Sequence, residues 1–394
     1  MVRAPSSQSR RVPWRLRRVV EHFSEGNSVR LLHDGRQVFP AMLAAIEEAR
    51  AQVLLEMYWF DSGRIGRRFA EALKAAARRG VEVAVIYDAV GSIAADPAMF
   101  DDLQRAGAHV LEYNPVAPWK RRFRLARLTR RDHRKILVVD AKLGFTGGVN
   151  IGDLWLPEEE EGGGFRDDAA VVEGPAARGF VSCFQRTWRR LGGAPLIPSS
   201  SLLAGVQRPQ GGQLAQVMGG EGYYRKRHSI ARAYLSHIYR AQRRIWIANS
   251  YFIPDGNVIR ALTRAARRGV DVRILVPRES DVVLTDWASR AVWPRLMRSG
   301  VRIFEWTDSI LHSKTAVIDG RWSTIGSYNL DYLSLRTNLE VTLNVLDDSF
   351  GQTMEAAFEL DFARANEVDA NTFRFRSLGA RLLEIIAYRI RKIL

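Results

Sequence analysis

Two of the seven histidines head the same short phrase. His133-Arg134-Lys135 runs on to Asp140, and His312-Ser313-Lys314 runs on to Asp319, with mostly apolar residues between lysine and aspartate. Seven residues past each aspartate begins Gly-x-x-Asn: Gly147-Gly148-Val149-Asn150 and Gly326-Ser327-Tyr328-Asn329. A lone His-x-Lys says little, because any strand can carry two polar residues. Lysine is scarce, however, with seven against 52 arginines, so two matching settings exclude chance. The residues after each His are apolar and partly β-branched, which predicts a strand, and strand side chains at i and i+2 share a face. His133 and Lys135 then project together, as do His312 and Lys314.

Two imidazoles and two ammonium groups in one pocket suit a phosphodiester. One ring attacks phosphorus while the other protonates the departing oxygen and later deprotonates an acceptor. An ordinary histidine pKa near 6.5 permits both roles at neutral pH. The lysines offset charge growing on the phosphoryl oxygens, so no metal and no other cofactor is expected.

The surrounding elements are written twice. Residues 44–50 lead into Val53-Leu54-Leu55 and then Tyr58; residues 236–242 lead into Ile245-Trp246-Ile247 and then Tyr251. Each half continues through a helix-like stretch ending Ala-Arg-Arg-Gly-Val, at Ala77 to Val81 and Ala266 to Val270, into a short apolar run. A second helix-like segment ends near Gly107 and Gly300, and strands at 110–113 and 302–306 follow. This alternation predicts an α/β fold of two homologous lobes, each a mixed sheet flanked by helices, with the active cleft between them. The expected division is a basic amphipathic arm at 1–28, lobes at 29–198 and 214–365, a linker rich in Ser, Gly, Pro and Gln at 199–213, and a basic amphipathic tail at 366–394.

The paired pattern resembles the phospholipase D superfamily, and the likeness to bacterial cardiolipin synthases extends from Leu31 to Glu340. Asp88-Ala89-Val90-Gly91-Ser92, Asn114-Pro115-Val116, Phe165-Arg166-Asp167 and Gly326-Ser327-Tyr328-Asn329-Leu330-Asp331 carry it, beside the two histidine phrases. The resemblance implies two phospholipase D-like lobes and phosphatidyl transfer between two phosphatidylglycerol molecules through a phosphohistidine, with glycerol released. It makes His133, Lys135, Asp140, His312, Lys314 and Asp319 the catalytic signature, with His133 favoured as nucleophile. The seven-residue offset of the two aspartates nonetheless suggests that they brace a loop. Asn150, Asn329 and Ser327 are expected at the phosphate. Glu340, downstream of His312, stands where the superfamily puts a histidine-orienting carboxylate; Asp167 is the expected counterpart for His133, with Asp168 as the fallback. Leu333 occupies a position where the family usually has Arg.

Substrate class needs other signals, since the superfamily handles both lipid and DNA. A formal charge of +16 attracts either polyanion. Leu382, Ile385, Ile386, Ile390 and Ile393 share a helical face, with Arg381, Arg389, Arg391 and Lys392 assigned off it; Val12, Leu16, Val19, Val20 and Phe23 repeat the pattern. Basic amphipathic helices read as membrane-surface binders, and the bland alternative is a helix docked on its own protein. Trp119 to Arg131 mixes basic and aromatic residues, while Glu158 to Glu161 followed by three glycines suggests a mobile acidic loop. No nucleic-acid-binding signature is present, so the expected partners are anionic phospholipid, phosphatidylglycerol in particular, and a membrane surface. No run of eighteen apolar residues and no secretory leader is found, and the one cysteine, Cys183, needs no oxidising compartment. Together with the family's branch without spans, these lead to the expectation of a peripheral protein on the cytoplasmic face of a bacterial inner membrane. The rival readings are a hydrolytic phospholipase D and a basic phosphodiesterase or nuclease.

Overall fold

The computed structural model describes residues 22–120, 122–124, 128–202, 212–221 and 228–392. The arm residues Val12 to Val20, residues 125–127, most of the expected linker and Ile393 lie outside them. The first lobe runs β1 (Ser24–His33), α1 (Asp34–Glu47), β2 (Gln52–Met57), α2 (Arg64–Arg78), β3 (Glu82–Asp88), α3 (Pro97–Arg105), β4 (His109–Tyr113), β5 (Lys135–Val139), β6 (Leu143–Gly147), β7 (Asp168–Glu173) and α4 (Ala177–Arg190). A single turn, α5 (Ser199–Leu202), comes before the second lobe. That lobe runs β8 (Gln213–Glu221), α6 (Ser229–Arg240), β9 (Arg244–Asn249), α7 (Gly256–Ala266), β10 (Asp271–Pro277), α8 (Val283–Arg290), α9 (Trp293–Met297), β11 (Arg302–Trp306), β12 (Lys314–Ile318), β13 (Trp322–Gly326), α10 (Tyr332–Arg336), β14 (Leu339–Leu346) and α11 (Asp348–Arg364). It closes with β15 (Asn366–Glu367), α12 (Ala370–Phe373) and α13 (Leu378–Ile390).

In each lobe three parallel strands, β2-β3-β4 or β9-β10-β11, are flanked by an antiparallel series starting with β5 or β12, the strand that opens at the lysine two residues after each histidine. This is the mixed sheet that the repeat predicts. The lobes nevertheless do not keep separate sheets. Among the described residues fifteen strands form one sheet, joined where β1 pairs antiparallel with β8. Strand β1 begins at Ser24, inside the stretch assigned to the arm, and β15, inside the stretch assigned to the tail, pairs with β11. The sequence offered no signal for the seam, because β8 follows a linker and lacks a strongly apolar run.

Period-two alternation sorts the side chains into two layers. Val53, Leu55 and Met57 of β2 pack against Phe69 and Leu73 of α2, while Leu54 faces the opposite core. In α2, Ile65, Phe69, Leu73 and Ala76 recur at helical spacing on the buried side. The opposite core is shared by both lobes. Phe180 and Phe184 of α4 meet Phe350, Met354, Phe358 and Phe362 of α11, together with strands from each half. Apolar burial therefore holds the lobes in fixed relation. Phe180 is fully buried, so Phe180→Ala should cost about 3–5 kcal/mol.

Candidate active site

Each histidine is stitched by its backbone to the other lobe. The His133 N–H donates to the Leu339 carbonyl (3.0 Å), and the Leu339 N–H donates back to Arg131 (2.9 Å). The His312 N–H likewise donates to the Arg166 carbonyl (2.7 Å), whose own N–H reaches Ile310 (3.0 Å). The residue after Leu339 is Glu340, and the residue after Arg166 is Asp167. The carboxylates are consequently crossed. His133 Nδ1 lies 3.1 Å from both oxygens of Glu340, and His312 Nδ1 lies 2.7 Å from Asp167 Oδ2. This corrects the expectation that Asp167 serves His133 and Glu340 serves His312. A carboxylate against Nδ1 makes that nitrogen the N–H donor and leaves Nε2 for substrate chemistry.

The two carboxylates are supported differently. Glu340 accepts hydrogen bonds from the hydroxyls of Ser327 and Ser334, the latter at 2.7 Å. Ser327, expected at the phosphate, therefore holds the histidine's carboxylate instead. Asp167 accepts from the Trp155 indole N–H (2.9 Å) and the Asp168 N–H (2.8 Å). A Cβ on Gly148, the position matching Ser327, would fall 2.1 Å from Asp167 Oδ1, so only glycine fits there. The Trp155 ring stands edge-on to His312, and Tyr58 edge-on to His133. Burial alone would raise Glu340, but its bonds and charge interaction with His133, and the Ser327 bond, bring the net shift downward. Burial raises Asp167 to about 7, with Lys314 and the Trp155 bond offsetting only part.

Lys135 and Lys314 are buried beside these rings, each donating its ammonium to the carbonyl of its own histidine, for Lys135 at 2.9 Å. Burial and the Lys314 charge lower Lys135 to about 7, and burial lowers Lys314 to about 8. Burial and the neighbouring lysines push both histidines below their ordinary value. Four basic groups thus press on one another from both lobes, a setting suited to an anion such as a phosphodiester. The side-chain oxygens of Asn150 and Asn329 accept from the Trp59 N–H (3.3 Å) and the Ser250 hydroxyl (3.0 Å), so their NH₂ groups stay available as donors.

Other expectations fall elsewhere. Asp140 and Asp319 do not join the reacting groups. Asp140 accepts from the N–H groups of Arg50, Ala51 and Gln52 (3.0, 2.8 and 2.8 Å), and Asp319 from those of Gln242, Arg243 and Arg244 (2.9, 2.8 and 3.0 Å). They clamp turns at the far end of β5 and β12, about 16 Å from the lysines at strand rise. The register also revises the repeat. Met57 pairs with Lys135 and Asn249 with Lys314, so Tyr251 corresponds to Trp59, not to Tyr58. In the acidic stretch Glu159 meets Arg36 (2.7 Å) and Glu161 meets Arg64 (3.4 Å) at the surface. Arg134 and Arg166 are buried clamps between lobes. Arg134 donates to the Glu340 and Gly220 carbonyls (3.1 and 3.4 Å), and Arg166 holds Asp361 (3.1 and 2.7 Å) and Asp168 (2.8 Å). Asp168, the fallback, binds His33 and Ser313 (2.8 and 2.6 Å) rather than a catalytic ring.

Helix α13 docks on its own protein and also keeps an apolar side outward. Ala387 packs with Ile253 and Ala288, and Glu384 pairs with Arg376 (2.7 Å). Leu378, Leu382, Ile385 and Ile386 remain 81, 58, 50 and 48% exposed. Arg389 lies four residues past Ile385 and so falls within that outer face, not off it. Among the described residues no helix is long and apolar enough to cross a membrane.

Comparison with known proteins is consistent with this geometry. A family profile described as "Cardiolipin synthase, PLD-like domain" matches residues 42–173 and again 234–362. A cardiolipin synthase of Geobacillus sp. (strain WCH70) is 33% identical over 364 residues, covering 92% of this chain and 72% of that protein. Cardiolipin synthase A of Pseudomonas putida (strain W619) is 36% identical over 369 residues, covering 92% of this chain and 74% of that protein. Among solved structures, a phosphatidylserine synthase from Haemophilus influenzae Rd KW20 superposes with a TM-score of 0.72 at 13% identity, over 98% of this chain and 100% of that one, a likeness of fold alone.

Proposed function

The chain belongs to the cardiolipin synthase family of phospholipase D-like proteins, and from that premise we propose that it transfers a phosphatidyl group from one phosphatidylglycerol to another. The observation that carries this reading is the single site in which each lobe's histidine is held at Nδ1 by the other lobe's carboxylate. His133 Nε2 attacks phosphorus as the bond to glycerol breaks, and His312 gives its Nε2 proton to the leaving oxygen. A hydroxyl of the second phosphatidylglycerol then attacks phosphorus, its proton returns to His312, the P–N bond breaks, and cardiolipin leaves. Lys135, Lys314, Asn150 and Asn329 hold the phosphoryl oxygens through both steps. His133 is the nucleophile in this reading because Glu340, with its downward shift and two serine hydroxyls, stays ionised and supports the cationic phosphohistidine. Asp167, raised to about 7, suits a ring that passes a proton back and forth.

The protein acts at the bacterial inner membrane as a peripheral protein on the cytoplasmic face. The outward Leu and Ile side chains of α13, with Arg381 and Arg389 among and beside them, support contact with an anionic lipid surface. Incubation with labelled phosphatidylglycerol vesicles tests the function. Cardiolipin and glycerol in equal amounts support transfer; phosphatidic acid as the sole lipid product contradicts it.

A further inference from the structure

The groups so far placed around phosphorus are almost all hydrogen-bond donors: two ammoniums, two amide NH₂ groups and the histidine rings. Donors match phosphoryl oxygens. A glycerol headgroup brings hydroxyl donors of its own, and these need acceptors. Glu340 and Asp167 cannot serve, being fully buried and committed to the imidazoles.

One carboxylate near the site remains exposed. Asp281 lies in the connection between β10 and α8, with both oxygens 2.7 Å from the Tyr251 hydroxyl. Tyr251 is placed by the sheet. Asn249 faces Lys314 across β9 and β12, the Ser250 N–H donates to Ser313 (3.2 Å), and Tyr251 follows in the turn that leaves β9. The Asp281 charge acts on Lys314 more strongly than that of Glu340, and on His312 more strongly than that of His133. The first lobe offers nothing equivalent. Trp59 stands in place of Tyr251, Asp96, the acid in the connection from β3 to α3, is taken up capping α3 through the Ala98 N–H (2.9 Å), and Asp88 is buried against Arg131 (3.2 Å). An anion beside a phosphate-binding site weakens phosphate binding, so its presence on the His312 side calls for a ligand that gains from it.

We propose that Tyr251 and Asp281 form the subsite for the acceptor's polyol headgroup, holding the hydroxyl next to the attacking one on the His312 side of the site. This rests on the transfer reading above and names the residues that favour a lipid diol over water. The attacking hydroxyl loses its proton to His312, and Asp281 takes no part in that transfer. The neighbouring hydroxyl donates to a free lone pair of Asp281, which keeps the diol in line with phosphorus.

The test is Asp281→Ala, and separately Tyr251→Phe, in the full chain with phosphatidylglycerol vesicles, measuring cardiolipin against phosphatidic acid. Ethanol is added in a parallel series as an acceptor with a single hydroxyl, giving phosphatidylethanol. Losing one hydrogen bond to a charged group should lower the cardiolipin to phosphatidic acid ratio about tenfold in Asp281→Ala. Phosphatidylglycerol consumption and phosphatidylethanol formation should stay near the unmodified enzyme's values. Because Asp281 is exposed, that variant keeps the fold even if Tyr251→Phe shifts its loop. An unchanged ratio in Asp281→Ala, or an equal fall in cardiolipin and phosphatidylethanol, overturns the subsite while leaving transfer intact. An unmodified enzyme that makes only phosphatidic acid overturns the transfer reading itself, and the subsite with it.

Discussion

The two half-sites share one sequence phrase and differ in what stands behind it. Behind His133 is Glu340, gripped by two serine hydroxyls and lowered in pKa; behind His312 is Asp167, held by an indole N–H and a backbone N–H and raised to about 7. Gly148 and Ser327 occupy matching positions, yet one yields space to a carboxylate and the other supplies a donor to one. Duplication thus provides two histidines, and under the proposed mechanism divergence of their supports suits them to different steps. An exact twofold copy would have no reason to prefer one ring as nucleophile.

The comparison can be broken most forcefully at the rings. His133→Ala and His312→Ala should each lose at least about 10³-fold in cardiolipin formation. A phosphatidyl ester with a nitrophenolate leaving group needs no acid, so it should restore a single turnover to His312→Ala and none to His133→Ala. Equal rescue of both would erase the assigned asymmetry. The crossed support is the next target. Glu340→Gln should cost about 10²-fold, and its effect should be strongly non-additive with His133→Ala but additive with a mutation confined to the His312 support. Coupling within lobes rather than across them would overturn the crossing.

A smaller effect concerns stability. Lys135 titrates at about 7 in the folded chain, against an ordinary 10.5. Between those values the unfolded chain binds a proton that the folded chain does not, so stability rises with pH through that window and the cost is full below pH 7. Lys135→Met removes that cost. Its Tm at pH 6 should rise by about 2 °C or more over the unmodified chain, with the gain fading toward pH 10. A fall in Tm at pH 6 would mean that the ammonium is not under strain. The smallest effect is expected far from the rings. Replacing Leu382 and Ile386 by Ser removes two outward apolar side chains, and binding to anionic vesicles should weaken about tenfold with the fold unchanged by circular dichroism. Unchanged binding would assign the α13 face to something other than lipid.

Much of this arrangement was legible in the amino acids. The repeated phrase exposed both histidines and lysines, and the helix-strand alternation exposed the α/β lobes, because local spacing encodes both. The crossed carboxylates were not legible. They depend on backbone bridges from Asp132 to Leu339 and from Arg166 to Leu311, long-range contacts that leave no mark on neighbouring residues. The clamping roles of Arg134 and Arg166 were hidden by composition, since among 52 arginines the buried ones look like the rest. Ser327 was misplaced for a related reason: its position in the phrase says that it is near phosphorus chemistry, not which partner its hydroxyl meets.

The central claim is that both lobes act on one phosphorus atom, with His133 forming the bond to it. The most direct measurement is mass spectrometry of His312→Asn after mixing with the nitrophenyl phosphatidyl ester, which needs no acid, and quenching in alkali, where phosphohistidine survives. The account predicts a phosphatidyl adduct on the peptide containing His133 and none elsewhere. An adduct on another residue, or no adduct while lipid is still consumed, would contradict it.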